Sequence, residues 1–347
     1  MARRNVIVRK LPSVETLGCT SVICTDKTGT LTTNEMTAVS LVMFGTQNGE
    51  DVIEEFPVTG SSYNPEGIIE GPLAIDTEFE MNGSLKDVAA VCALCNDAKI
   101  VGNDHGDGAT EKIYERFGEP TEAALCVLAE KIGGVADTLS NGASNQPPSV
   151  LASAHTESWR ASRPRTATLE FNRNRKSMSV LCRKNVESSH NQLLVKGAPN
   201  LLLQRCTHIK LRNGETVPLN GSMRRMIEEK TSELAQRPLR CLALAVKDTD
   251  MLESSLQYYD PELDGESSKH PLLKDSANYA GIESGLTLVG IIGIKDPARP
   301  EVAGSIQKCR EAGIRIMMIT GDARDTAVAI AKEVNIFEKH ETELKVS

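Results

Sequence analysis

"SVICTDKTGT", residues 21–30, is the stretch on which the fold turns: an apolar run stops at Asp26 and gives way to small, hydroxylated and cationic residues. The run reads as a short buried strand ending at Thr25, followed by a loop. Near the other end, "IRIMMIT", Ile314 to Thr320, repeats the pattern and leads into "GDARDTAVAIAKEV". There Ala323, Ala327, Ile330, Ala331 and Val334 fall on one helical face. Just upstream, "RPEVAGSIQKCREAG" sets Pro300 where a first helical turn tolerates it and Gly313 as a helix stop. Helix, strand, loop, helix is a parallel α/β unit, so both ends of the chain are expected to share one doubly wound sheet.

Open sheets of this kind bind ligands at the carboxyl ends of their strands, where Asp26 stands. A carboxylate there can act as a nucleophile toward phosphorus and form an acyl phosphate. The charge on the phosphoryl oxygens then calls for backbone N–H groups, hydroxyls, a cation and usually Mg²⁺. "DKTGT" holds each kind of protein donor: Lys27, the hydroxyls of Thr28 and Thr30, and Gly29 for close backbone approach. The second strand, ending in "TGD", can bring Thr320 and Gly321 to the same edge.

The middle of the chain has another texture. "ATLEF", "SMSVLCR", "QLLVKG" and "CLALAVK" read as short strands, and "IKLRNGETVPL" carries an Asn213-Gly214 hairpin turn. "SMRRMIEEKTSELAQ" is an amphipathic helix. Together they predict an antiparallel sheet with helices inserted between two halves of a parallel domain. Two stretches rich in Ser, Pro, Asn and Gly, near 139–166 and 253–280, read as loose surface insertions.

At 347 residues the chain is long enough for two domains. Its net charge of −8 argues against nucleic acid as a partner, and its longest apolar run, "LTLVGIIGI", is strand-sized, far short of a membrane span. "MARRNVIVRK" lacks the apolar core of a secretory signal. Nine cysteines form no disulfide-like framework and read as reduced thiols. The lone "CALC", Cys92 to Cys95, has no second pair to complete a zinc site and reads as two small apolar residues on a helix face.

"DKTGTLT" resembles the phosphorylation motif of the P-type ATPases, ion pumps built on a haloacid dehalogenase-like phosphotransferase fold. Phosphatase relatives of these pumps carry an aspartate two positions after the nucleophile. Thr28 stands there, so water is poorly activated and an aspartyl phosphate is expected to persist long enough to couple chemistry to motion. "GEPTEAAL", "FNRNRKSMSV", "VKGAP" and "RCLALA" resemble the family's nucleotide-binding domain, "KDPARPEV" its DPPR segment with Ala298 for the second proline, and "MITGD" its phosphate-contacting strand end. The wording is closest to sarco/endoplasmic reticulum-type calcium pumps, plant-type versions included.

The resemblance implies that Asp26 is phosphorylated and that Lys27, Thr28, Thr320 and Gly321 contact the phosphoryl group, with Asp322 and Asp296 lining the same region. Asp26 and the Thr28 carbonyl would hold Mg²⁺. In the inserted domain it implies that Phe171 stacks on adenine and Glu122 accepts from the adenine amino group. Lys196 would sit deep in the pocket, with Gly197 permitting close approach. Arg173, Lys176 and Arg240 would meet the phosphates, and Arg299 of the DPPR-like segment is placed with the nucleotide contacts. Without the family, Phe171 also reads as a core ring on an edge strand, Glu122 as a first-turn helix glutamate, "RNRK" as a solvated face and Asp296 as a turn residue.

The resemblance divides the chain into a phosphorylation domain in two parts, 1–40 and 286–347, around a nucleotide-binding domain, 41–285. The family's later catalytic lysine, its GDGxNDxP segment, its actuator TGE loop and its membrane helices match nothing here. The chain is therefore expected to be the large cytoplasmic loop of an ATP-driven calcium translocase, cut short. On its own it would be soluble and cytoplasmic, bind ATP and not turn over; its parent would face the cytoplasm from the endoplasmic reticulum. Its partners would be ATP and the missing transmembrane and actuator parts. The alternative is a stand-alone nucleotide-binding module without a catalytic cycle; a soluble phosphatase is disfavoured by Thr28.

Overall fold

A computed structural model describes residues 12–60, 62–71, 83–103, 113–134, 147–237, 239–321 and 324–337. In chain order the elements are α1 (Pro12–Gly18), β1 (Val22–Asp26), β2 (Thr37–Gln47), β3 (Glu50–Pro57), α2 (Ser84–Leu94), β4 (Lys99–Asn103), β5 (Ile113–Phe117), α3 (Pro120–Ile132), α4 (Pro148–Leu151), α5 (Ala154–Ser162) and β6 (Arg165–Asn172). There follow β7 (Ser177–Arg183), β8 (Asn191–Gly197), α6 (Pro199–Arg205), β9 (Cys206–Lys210), β10 (Thr216–Pro218), α7 (Gly221–Gln236), β11 (Leu239–Lys247), α8 (Ser254–Gln257), α9 (Tyr279–Ile282), β12 (Leu286–Lys295), α10 (Val302–Glu311), β13 (Arg315–Ile319) and α11 (Arg324–Glu333). They form two compact units, residues 1–34, 236–238 and 296–347 in one, and 35–235 and 239–295 in the other.

The larger unit is a mixed α/β body on a sheet ordered β10-β9-β12-β11-β8-β7-β6, with β2 joined to β12 and β3 to β2. Its pairs are antiparallel apart from β9 against β12. Side chains alternate across it, as the two-residue period of a strand requires. On one face Met178, Val180, Leu194 and Leu244 pack with α2, α3 and Trp159 of α5. On the other Leu181, Leu193, Val195 and Ala243 pack with Leu202 and Leu203 of α6 and with Met223, Ile227 and Leu234 of α7. Two covered faces explain why β8 is buried at every position. The hairpin turn forms as its sequence demands, with Gly214 at φ +93° between β9 and β10.

Three stretches differ from the sequence reading. Within 147–163, read as loose, lie α4 and α5. Trp159 is fully buried there and donates its indole N–H to the Gly133 carbonyl at 3.0 Å. The Glu130 carboxylate accepts the N–H groups of His155 and Thr156 at 2.9 and 2.7 Å, which satisfies the first turn of α5. Residues 139–146 lie outside the described residues. The stretch 253–280, also read as loose, is pinned by Leu256, Tyr259 and Leu273, buried against the second face of the sheet. Its polar composition concealed a few widely spaced anchors. Finally, β12, read as part of the C-terminal flank, is paired on both edges within the large sheet.

In the smaller unit β1 and β13 are parallel neighbours, in register from Val22 opposite Arg315 to Asp26 opposite Ile319. Leu31, Val302, Ile306, Ile330 and Val334 form its buried cluster, bringing α10 and α11 together. Gly313 stops α10 at φ +73°.

Candidate functional site

The strand ends of the smaller unit come first. Asp26 closes β1, is exposed, and accepts its neighbour Lys27's backbone N–H at 2.7 Å. The loop then reverses through Gly29 at φ +74°, a left-handed conformation that a side chain disfavours. Thr28 and Thr30 are exposed; Lys27 is buried. Because Asp26 pairs with Ile319, Thr320 follows directly at the same edge, with the exposed Gly321 after it. Asp322 lies outside the described residues.

Asp296 and Arg299 brace this loop. Asp296, 5% exposed, accepts the Thr32 hydroxyl at 2.7 Å and the Asn34 N–H at 3.1 Å, and lies 3.6 Å from the Lys27 ammonium. Arg299 donates to the carbonyls of Gly29 and Thr30 at 3.1 and 3.2 Å. Thr32, buried at 0% exposure, also receives the Gly29 N–H at 3.3 Å. Sequence reading passed over Thr32, although its position at the end of "DKTGTLT" was the available signal.

In the larger unit the other candidate residues gather at one end of the sheet. Lys196 lies on the Leu194 side of β8, opposite Met178 and Leu244, and so faces α2 and α3. Its ammonium meets the Glu122 carboxylate at 2.5 Å, both side chains being largely buried. Pro120 and Glu122 occupy the first turn of α3, where a fixed φ and a negative charge suit the helix. Gly197 is opposite Ser177, and an added Cβ would lie 2.8 Å from the Lys176 carbonyl, so the strands approach closely because it has none.

Within a bulge at the end of β6, between Leu169 and Asn172, Phe171 is 61% exposed, which a core role would not allow. The turn after it holds exposed Arg173 and Lys176; Lys176 has φ +48° and its N–H closes the turn on the Asn172 carbonyl at 2.7 Å. Arg240, exposed on β11, donates to the Thr121 hydroxyl at 2.9 Å. An exposed ring, four cations and one carboxylate therefore share this end of the sheet, a combination suited to a flat base carrying phosphates.

Two residues missed from the sequence hold this end together. Buried Asn96 donates to the carbonyls of Cys92 and Glu122 at 2.9 and 2.8 Å and accepts the Ala98 N–H at 2.9 Å, joining the end of α2 to the start of α3. Arg165 donates to the Leu94 and Asn96 carbonyls at 2.6 and 2.9 Å. Asparagine directly after a helical run was the one legible sign. The "CALC" thiols are fully buried in the same core. Burial pushes Cys95 up to about 11 against the opposing pull of Lys196 and Arg165, and raises Cys92 as well, so both stay protonated.

Residues 84–301 match the family described as P-type ATPase, cytoplasmic domain N, and the chain belongs to that family. It is 40% identical over 350 residues to Calcium-transporting ATPase 2, endoplasmic reticulum-type, of Arabidopsis thaliana, covering 98% of this chain and 31% of that protein. To Calcium-transporting ATPase 4, endoplasmic reticulum-type, of the same plant it is 42% identical over 346 residues, covering 98% and 30%. The chain thus spans just under a third of the length of these curated relatives. Among the described residues no helix is long and apolar enough to cross a membrane.

Proposed function

We propose that this chain is the ATP-binding and aspartyl-phosphorylation region of a calcium-transporting P-type ATPase. The observation that carries the reading is the Lys196–Glu122 pair, set at the same sheet end as the exposed Phe171 and the basic turn after it. Phe171 stacks on adenine, Glu122 accepts from its amino group, Lys196 sits deep in the pocket, and Arg173, Lys176 and Arg240 meet the phosphates. The smaller unit is read as a haloacid dehalogenase-like phosphorylation domain, on the strength of its parallel β1–β13 pair and the aspartate at the strand end.

An Asp26 oxygen attacks the γ-phosphorus of ATP, the bond to the β-phosphate oxygen breaks, and ADP leaves with an acyl phosphate formed on Asp26. Lys27, whose backbone N–H bonds the Asp26 carboxylate in this structure, the Thr28 and Thr320 hydroxyls and the Gly321 backbone are the groups read as meeting the phosphoryl oxygens. Arg299 and Asp296 keep the loop in shape. Thr28, in place of a second carboxylate, leaves water without a local base, so the acyl phosphate lasts. The exposed Asp26 carboxylate and the Thr28 carbonyl are hard oxygen donors of the kind Mg²⁺ combines with phosphates and water. Bound there, Mg²⁺ supplies charge neutralisation on the transferring group.

Calcium as the ion and the endoplasmic reticulum membrane as the setting, with this region on the cytoplasmic side, follow from what the two plant relatives are named for. The working partners are then the transmembrane and actuator parts of the same pump. Titration of the purified chain with ATP, with and without Mg²⁺, tests the pocket beside Phe171→Ala and Lys196→Ala. Saturable binding weakened at least tenfold in both variants is the expected result. A folded chain that binds no ATP would overturn the reading.

A further inference from the structure

We infer that Glu283 is a positioning residue for the nucleotide site: its buried carboxylate, holding Arg175 and Arg205, fixes the turn that presents Phe171, Arg173 and Lys176. The inference rests on the ATP-binding reading above and extends it to a residue about a hundred positions away in sequence.

Glu283 lies just before β12 and is 0% exposed. Four donors converge on it: the guanidinium groups of Arg175 and Arg205, and the hydroxyls of Ser177 and Ser179, each at 2.7 Å. Arg175 in turn donates to the carbonyls of Leu169 and Glu170, and its guanidinium carbon sits 5.1 Å from the centre of the Tyr279 ring. Arg205, at the end of α6, donates to the Arg175 carbonyl and the Ser177 hydroxyl, both at 3.1 Å.

The points this network grips decide its purpose. Leu169 and Glu170 immediately precede Phe171; Arg175 and Ser177 flank Lys176. Both limbs of the turn are thus tied to one carboxylate. The turn needs tying, because Lys176 holds a left-handed φ of +48° that side chains seldom adopt without support. A cluster serving stability alone would be served as well by apolar packing, since desolvating three charges offsets most of their attraction. What a polar network converging on one carboxylate adds is a single geometry, here with only the Arg175 Nε among the guanidinium nitrogens of that residue left without a partner. Here that geometry belongs to the three residues that would meet base and phosphates. Removing the carboxylate also leaves a buried and a half-buried guanidinium side by side, which would push the turn and α6 apart.

The test uses the full chain, ATP as ligand, and Glu283→Gln, Phe171→Ala and the double variant. Trp159, the sole tryptophan and fully buried in the same unit, reports whether that unit is folded. The expected result is ATP affinity reduced tenfold or more by Glu283→Gln with native Trp159 emission, and faster amide exchange across residues 170–178. The double variant should lose little beyond Glu283→Gln alone, since a misplaced ring has little left to contribute. Affinity within twofold of the parent, or fully additive losses, would overturn the inference while leaving ATP binding intact; a parent chain that binds no ATP would overturn both. If Glu283→Gln does not fold, Arg175→Gln carries the same comparison. It cuts the link between the turn and Glu283, leaves Glu283 bonded to Arg205 and Ser179, and touches none of the presented side chains, so a native-like variant with unchanged ATP affinity would overturn the inference equally.

Discussion

Replacing Asp296 by asparagine isolates the charge that organises the phosphorylation loop. The substitution keeps the shape and one carbonyl oxygen, which can still accept from Thr32 or Asn34, but removes the anion 3.6 Å from the Lys27 ammonium. At that distance and an effective dielectric of 20, two unit charges attract by about 4–5 kcal/mol. With side-chain exposures of 4% and 5% the pair has little solvent screening. Losing one partner of a buried pair characteristically costs about 3–5 kcal/mol, of the same size. The amides of Thr32 and Thr33, bonded to the carbonyls of Lys27 and Pro297 at 3.1 and 3.0 Å, report the opening of this loop. Their exchange should accelerate by roughly a hundredfold to a few thousandfold, each tenfold corresponding to about 1.4 kcal/mol. Trp159, in the other unit, should keep its native emission. Hydrogen exchange resolved to single amides gives the answer, and an acceleration below tenfold would refute the reasoning, because it would mean that the loop does not depend on this anion.

Three further outcomes follow from the same structure. Burial lowers the Lys131 ammonium from its ordinary 10.5 to about 8. The unfolded chain therefore holds more protons between those values, and unfolding free energy should rise with pH across that window in the parent relative to Lys131→Met. Thiol titration of the native chain should find Cys19 and Cys24 fast. Cys92, Cys95, Cys126, Cys182 and Cys206 should stay silent until denaturant is added, because they are buried and burial raises every one of them. Gly197→Ala forces a Cβ to 2.8 Å from the Lys176 carbonyl and should cost about 1–3 kcal/mol by chemical denaturation. It should also weaken ATP binding, since the turn that must yield carries Lys176.

How far the sequence could be read depended on the range of the interactions involved. Local signals were legible: the aspartate after an apolar run at β1, the Asn213-Gly214 turn, the stops at Gly313, and the segments that became β7, β8 and α7. In those cases a few neighbouring residues fix the backbone. The "DKTGT" loop was legible too, although Thr32 and Asp296, which hold it, form a contact 264 positions long that no local pattern encodes. The segments read as loose failed for a related reason. Trp159, Leu256 and Tyr259 are single anchors in polar surroundings, and one buried aromatic can order a stretch whose average composition reads as loop.

The basic turn "RNRK" shows where composition misleads most. Four adjacent polar residues invite one description, a solvated face, and the structure divides them by burial. Arg173 and Lys176 are exposed, whereas Arg175 is 8% exposed and locked to Glu283. A bulge after Leu169 and the left-handed Lys176 turn neighbouring side chains in opposite directions, so that one arginine is available to a ligand and the next is committed to the core. Sequence reading assigned the first and passed over the second because nothing local distinguishes them. The distinguishing partner is a glutamate 108 positions further along the chain, whose own surroundings, "GIESGL", resemble an ordinary turn. Charge identity along the chain therefore states which chemistry is present, while the long-range carboxylate decides which of the charges can perform it.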